Sequence, residues 1–446
     1  MESHLLFVAA SLLSASLPAA DPVYKVRTEF LGVDDSVHTV ALDEANARVY
    51  IGGSFSEAAG QPRQFLTAYS TVTGELLSWN PGCNAPVHSI AIDGDTVYIG
   101  GSFTEIASQP RDYAAAVDLG GNVLPWNPDP NNIVYGIRVS DLAVYLRGDF
   151  NTVGGISRSY LASVQKASGA PLPWNPSPLG GSTWDFAISG TSVYLGGSFT
   201  TVVGQNRTRL ASVATNGSLL PWSPSVDDSY VSVLLPVGDT IFTGGDFTSV
   251  NGTARSRFAA IDTAGNLLPW NPSFDSDVIT MTRSGGRLYV GGSFTTANGQ
   301  PRARLAAIDL SGNLLPWNPP AEDDAVAIAI GGGTVFVGGT FTTIGGVARE
   351  GFAAIYDPAL LPKPRVTVIG KRKIETDRKM QRIRGRSFDS TRVEAKSGKG
   401  NFKTVNGVKI WTHRAKLKPG LNAIRIRSTN VADATSLPVA ILVRRK

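Results

Sequence analysis

Apolar and polar residues alternate along most of the chain in short bursts, and the bursts end at Gly, Pro or Asn. Long runs with the helical spacing of apolar residues are absent, so the pattern predicts strands. Residues 87–126 are representative. Four strand candidates, "VHSIAI", "TVYIGGSF", "DYAAAVD" and "NVLPW", follow one another with turn residues between them. Short strands at this spacing indicate an all-β fold.

The stretch recurs seven times. The Phe of its "GGSF" element falls at Phe55, Phe103, Phe150, Phe199, Phe247, Phe294 and Phe341, at intervals of 47 to 49 residues. Eight residues after each Phe stands an arginine: Arg63, Arg111, Arg158, Arg207, Arg255, Arg302, Arg349. A tryptophan follows in six copies: Trp79, Trp126, Trp174, Trp222, Trp270, Trp317. A period of this size means a solenoid, a propeller or an array. Four antiparallel strands per copy, seven times over, predict a seven-bladed β-propeller with about 47 residues per blade. The last copy lacks its own "GNLLPWNP", while Val23–Phe30 ("VYKVRTEF") is a spare strand that would complete the last blade. An open solenoid has no use for such a strand.

The recurring residues read as parts of a building block. The ring two residues before each Gly pair (Tyr50, Tyr98, Tyr145, Tyr194, Phe242, Tyr289, Phe336) is expected to fill the gaps between blades. The second glycine of the pair never varies among copies, which in a strand signals a bulge or close backbone approach. The arginines are expected to be structural pins, bonded to a carboxylate or to backbone carbonyls. Function is therefore sought where the copies differ.

Composition adds a division of the chain. At 446 residues it exceeds a single core, and with 42% hydrophobic and 17% charged residues it is globular. Residues 361–446 carry 23 Lys+Arg against 5 Asp+Glu, net +18, and the remainder is net −13. Basic strand candidates such as "RVTVIG", "KIWTHRAKL" and "NAIRIRS" follow the proline-bearing "PALLPKPR". The expected layout is a signal peptide at 1–20, the propeller at 21–358, a linker at 359–364 and a basic β-sandwich at 365–446. The apolar run Leu5–Leu17 before Pro18-Ala19-Ala20 supports export, although no Lys or Arg precedes it. It is too short to span a bilayer, and no other stretch is long and apolar enough. The single cysteine, Cys83, has no partner for an internal disulfide or a metal, and the four histidines show no metal-ligand spacing. Export without disulfides suits a bacterial protein that is secreted, periplasmic or held at the cell surface.

"VYIGGSFT", "GNLLPWNP" and the phased arginine resemble the delta-60 repeat of bacterial exported proteins, over about residues 22–358. The resemblance implies a propeller and a secreted or surface location, and no particular chemistry. "AYSTVTGELLSW" and "AIDTAGNLLPW" more distantly resemble the docking motif of quinoprotein dehydrogenases; one cysteine cannot supply the adjacent pair many of those enzymes use. Leu417–Val443 resembles the end of a bacterial Ig-like domain, in which Trp411 would be the core ring.

The copies differ in three places. Acidic residues enter the inner strands at Asp34-Asp35, Asp129, Asp227-Asp228, Asp275 with Asp277, and Asp323-Asp324. Ion pairs with the recurring arginines are expected there, with a weak cation site as the alternative. The second inner-strand position reads His38, His88, Tyr135 and Trp184, then Ser232, Ile279 and Val326. Period-two alternation places it in inter-blade packing, while a crescent of rings near a channel mouth is the candidate ligand site. In the third copy Arg147 replaces the first glycine and Arg138 lies on the inner strand, with Asp149 and Asp185 as candidate partners.

No Ser-His-Asp order, paired-carboxylate motif or phosphate loop is present, so no catalytic residue, metal or cofactor is expected. The expected protein is a monomeric, exported, non-catalytic binding or adhesion module. Arg382, Arg384, Arg386, Arg425 and Arg427 in its basic domain are the candidate sites for an anionic polysaccharide or cell-surface component. Without stacking platforms among the arginines, a specific nucleic-acid site is not expected. The alternative is a propeller enzyme at the channel mouth, a glycoside hydrolase or lyase before a quinoprotein dehydrogenase.

Overall fold

The computed structural model describes residues 24–361 except Asp228, and residues 365–369, 373–376, 380–388, 390, 392–397, 402–405, 408, 410–416, 420–430, 436 and 439–445. The expected signal peptide, linker residues 362–364 and Asp228 lie outside the described residues. The chain divides into two compact units, residues 23–361 and a second that includes 362–446. Both are all-β, with no helix among the described residues.

The first unit is built of small antiparallel sheets. Val37–Asp43 pairs with Arg48–Gly53, which pairs with Leu66–Ser70. The same order repeats in the sheets whose inner strands begin at Val87, Val134, Thr183, Val231, Val278 and Ala325. Three-stranded antiparallel sheets of this kind build propeller blades. Each inner strand packs against the next one, and Ala325–Gly331 packs against Val37–Asp43. The last sheet gains a further strand: Lys25 and Val26 pair with Tyr356 and Ile355.

The core lies between successive sheets. Tyr50, Leu66 and Ala68 of the first sheet pack with Val87, Val97 and Ile99 of the second around Trp79. Each tryptophan meets the aromatic residue of its own copy edge-on, as Tyr50 and Trp79 do at 4.8 Å and Tyr289 and Trp317 at 5.1 Å. Trp79, Trp126, Trp174 and Trp222 also donate from Nε1 to a carbonyl of the following copy, at 2.9–3.1 Å. The last copy has no tryptophan, and there Phe30 meets Phe336 at 5.6 Å.

The fourth strand candidate is not a strand. "NVLPW" and its equivalents touch the third strand through single bridges, such as Val117 with Val123 and Ile308 with Leu314. Proline removes a ladder donor there. The neighbouring leucine carbonyl is taken by the recurring arginine: Arg111 Nη2 donates to Leu124 at 3.2 Å and Arg302 Nη2 to Leu315 at 3.1 Å. Each arginine also donates to the carbonyl of the residue before it, at 2.7–2.8 Å. The arginines are thus carbonyl pins.

Among the described residues the acidic loops form no ion pair with these arginines. Asp34 accepts from the amides of Ser56 and Glu57 at 2.8 and 2.7 Å, and Asp275 from those of Thr295 and Thr296 at 2.8 Å. They cap a two-strand turn, such as Glu57–Ala58 with Gln61–Pro62, which the alternation pattern does not reveal because each strand holds two residues. Backbone amides beside the carboxylate need a partner, whereas the arginines find theirs among the carbonyls of the adjoining segments. Asp324 does form an ion pair, with the non-recurring Arg304 at 3.2 Å.

Among the described residues the second unit holds two sheets. Arg365–Ile369, Met380–Phe388 and Ile410–Lys416 form one, and the other runs Lys373–Thr376, Val439–Arg445, Gly420–Thr429, Arg392–Ser397, Lys403–Thr404. Ile383 and Trp411 from the first pack with Val393, Ala395, Ile424 and Ile426 from the second, and Trp411 is fully buried.

Candidate functional site at the inner strands

A β-bulge positions the site. In the first sheet Val37 pairs with Gly53 and Thr39 with Gly52, which leaves His38 outside the ladder. The same shift skips His88, Tyr135, Trp184, Ser232, Ile279 and Val326. A bulge re-aims the side chain it carries. All these residues line one cavity of about 900 Å³. Alternation placed this position in the packing between sheets; the extra residue resets the alternation.

The unvarying glycine is what the bulge demands. A Cβ on Gly53 would lie 2.0 Å from the Ser36 carbonyl oxygen, and one on Gly292 2.0 Å from that of Asp277. In the third copy Arg147 stands where the others have the first glycine. It donates to the carbonyls of Thr183 and Tyr135 at 3.0 and 3.1 Å. Burial and the neighbouring Arg138 charge lower its pKa to about 10. Asp185 is the partner of Arg138, at 3.2 Å, and its other oxygen accepts the buried Leu234 amide at 2.9 Å. Asp149 bonds Tyr135 instead, accepting from its hydroxyl at 3.1 Å.

The sequence candidates form two groups. His38 stacks on His88 with centroids 5.1 Å apart, and His88 meets Tyr135 at 5.2 Å. In the first two copies the residue after the Gly pair holds the ring of its own sheet: Ser54 Oγ lies 3.3 Å from His38 Nε2, and Ser102 Oγ 2.9 Å from His88 Nε2. Burial lowers the pKa of both histidines, that of His88 to about 4 with help from the His38 and Arg147 charges. They are neutral, partly apolar plates at pH 7.

Trp184 belongs to the second group. It stacks on Tyr230, centroids 4.8 Å apart and planes 12° from parallel, and is 46% exposed. Tyr230 was not singled out in the sequence because it precedes the inner strand. Its hydroxyl donates to Asp277, and burial together with that carboxylate raises its pKa. Burial raises the Asp277 pKa, and the nearby Asp246 carboxyl adds to the rise. Asp246 accepts from Ser229 Oγ at 3.0 Å and lies 3.4 Å from Arg257 Nε. Paired carboxyls thus exist without a sequence motif, because Asp246 and Asp277 belong to different copies. Among the described residues no group of three or more His, Cys, Asp or Glu side chains could hold a metal ion.

The basic candidates fall on two sheets. Arg384 and Arg386 are exposed on the strand Met380–Phe388. Arg425 and Arg427 lie on Gly420–Thr429 of the other sheet. Arg427 is engaged, donating to Glu394 at 2.9 Å and lying 4.1 Å over Phe402. The Arg382 side chain lies outside the described residues.

The propeller character agrees with a family model described as a domain of unknown function (DUF5122) beta-propeller, which matches residues 284–314. That stretch runs from the end of one inner strand through Phe294 and Arg302 to Leu314. A search of curated proteins gives no match. Among solved structures, the computationally designed Ika8 protein is 15% identical, with 74% of this chain and 98% of that one covered at a TM-score of 0.47. The designed Ika4 protein is 15% identical over 41% and 95%, at 0.28. A fungal alcohol oxidase of the AA5 family, in complex with copper, is 13% identical over 95% and 100%, at 0.40. At these scores none of the three bears on chemistry.

Proposed function

We propose that the first unit is a seven-bladed propeller of the delta-60 type, that the second is an Ig-like domain, and that the chain is an exported bacterial binding or adhesion protein. Its channel mouth takes a polar, ring-shaped ligand such as a sugar. One observation carries this reading: bulges turn successive rings out of the packing and into a cavity of about 900 Å³. Ligand pockets are concave and pair aromatic surface with a few polar groups. Structural demands alone are met by Ser232, Ile279 and Val326 at the same position, so the rings are not needed for the bulge. The test is a glycan array on the full chain, with a parallel hydrolase and lyase screen. Binding that is lost in Trp184→Ala, without turnover, is expected. A blank array would overturn the reading.

The second domain, on this proposal, holds an anionic surface polymer through Arg384, Arg386 and Arg425. The full chain should bind heparin at low salt and elute as the Debye length falls from ~10 Å at 0.1 M to ~3 Å at 1 M. Charge reversal at Arg384 and Arg386 should weaken retention.

A second reading has its own support in Asp246, Asp277 and Tyr230. A carboxyl with a raised pKa beside another carboxyl is the arrangement of an acid–base pair. Turnover that survives purification and vanishes in Asp277→Asn would make the protein an enzyme at the channel mouth.

A further inference from the structure

Aromatic and acidic groups meet on one wall of the cavity. Trp184 is stacked on Tyr230 and remains 46% exposed. Tyr230 donates to Asp277, which lines the cavity, and the nearby Asp246 carboxyl adds to the rise in the Asp277 pKa. The nearby guanidinium groups already have partners. Arg147 is bonded to two carbonyls, Arg138 to Asp185 and the Ile137 carbonyl, and Arg257 is paired with Asp246. Outside its basic tail the chain is net −13, so the surrounding field favours cations.

We propose that the sugar this mouth takes is an amino sugar with a free ammonium group, its ring against Trp184 and its nitrogen on Asp277. The inference rests on the sugar-binding reading above and names its class of ligand. An ammonium near the face of a tryptophan is attracted by the ring quadrupole. Its hydrogen bond to a carboxylate is about twice as strong as one between neutral groups. Asp277 lines the cavity with the Asp246 carboxyl acting on it from behind, so an ammonium placed on Asp277 is attracted by both charges. N-acetylation removes the charge, a neutral hexose lacks it, and a uronate brings the wrong sign.

The experiment is isothermal titration of the full chain with short oligomers of glucosamine, N-acetylglucosamine, glucose and galacturonate. The glucosamine oligomer should bind about tenfold more tightly than its acetylated counterpart, the gain expected of one desolvated cation–π and carboxylate contact. Asp277→Asn keeps the shape of the site and should erase that preference. Asp141→Asn, at an exposed position outside the cavity lining, controls for general attraction and should change nothing. Equal binding of the free and acetylated amines overturns the proposal alone, as does a loss in Asp141→Asn equal to that in Asp277→Asn. Binding of none of the four oligomers overturns the sugar-binding reading with it.

Discussion

Arg349 donates from Nη2 to the carbonyl of Thr28 at 2.8 Å, across 321 positions of sequence. In the six other copies the same atom reaches a leucine 13 or 14 residues downstream. Thr28 therefore stands in for the outer segment that the last copy lacks. Phe30 does the same for the missing tryptophan, and Arg27 sits beneath, 5% exposed and bonded to the Thr71 carbonyl and to Thr334 Oγ1.

Removing residues 24–30 should leave Phe352–Tyr356 as an unpaired edge and cause association. Size-exclusion chromatography and thermal melting check this; an equally stable monomer would contradict it. The milder Arg27→Ala should lower stability by about 1–3 kcal/mol in urea unfolding, as loss of a buried charged donor does.

Gly292→Ala should be among the most damaging small changes in the chain, because the new Cβ would meet the Asp277 carbonyl at 2.0 Å. A cost above about 2 kcal/mol is expected, with weakened ligand binding, since the bulge must move. Gly286→Ala, with open space and ordinary φ, should be neutral or stabilising by up to about 1 kcal/mol. Similar unfolding midpoints for the two variants would refute the bulge argument.

Arg302→Ala should cost about 1–3 kcal/mol by stranding the Leu315 and Pro301 carbonyls, with no change in ligand affinity. Lost affinity at an unchanged melting temperature would make the recurring arginines a site after all.

Stability should fall as pH drops from 6.5 toward about 4, because His88 stays neutral in the fold while the unfolded chain takes up the proton. Above 6.5 this contribution is fully present. Asp34, Asp227 and Asp275, held below 3.8 by hydroxyl and amide donors against the opposing effect of burial, lose theirs only beneath that window. Asp277, raised, pulls the other way. Urea midpoints at about pH 7 and about pH 4.5 should differ less in His88→Gln than in the natural chain. An undiminished difference would show that His88 is not the group responsible.

The recurring residues were the legible part of this molecule. Seven copies of one pattern reveal what each needs, so the pinning role of Arg302, the packing of Tyr289 and the tight approach at Gly292 could be anticipated from spacing, while the choice of carbonyls over a carboxylate could not. What was hidden depends on chain reversals smaller than the alternation window. One extra residue per inner strand sends His88 and Trp184 into the cavity where period two says they are packed. The two-residue turns that occupy Asp34 and Asp275 leave no periodic trace. Asp246 and Asp277 meet because neighbouring copies meet, and proximity between copies is not a property of either segment alone.

The pairing of Lys25 and Val26 with Ile355 and Tyr356 also sets a timetable. A ribosome makes the N-terminal partner first and the C-terminal one more than 300 residues later. At ~5–20 residues per second that is a wait of roughly a quarter of a minute to a minute. During it, Phe30 lacks Phe336 and Phe352, and Arg27 lacks Thr334, their neighbours in the last sheet. The strand Lys25–Val26 is thus among the last to find its place, and the rate of folding should be limited by this closure of distant segments and not by any single sheet.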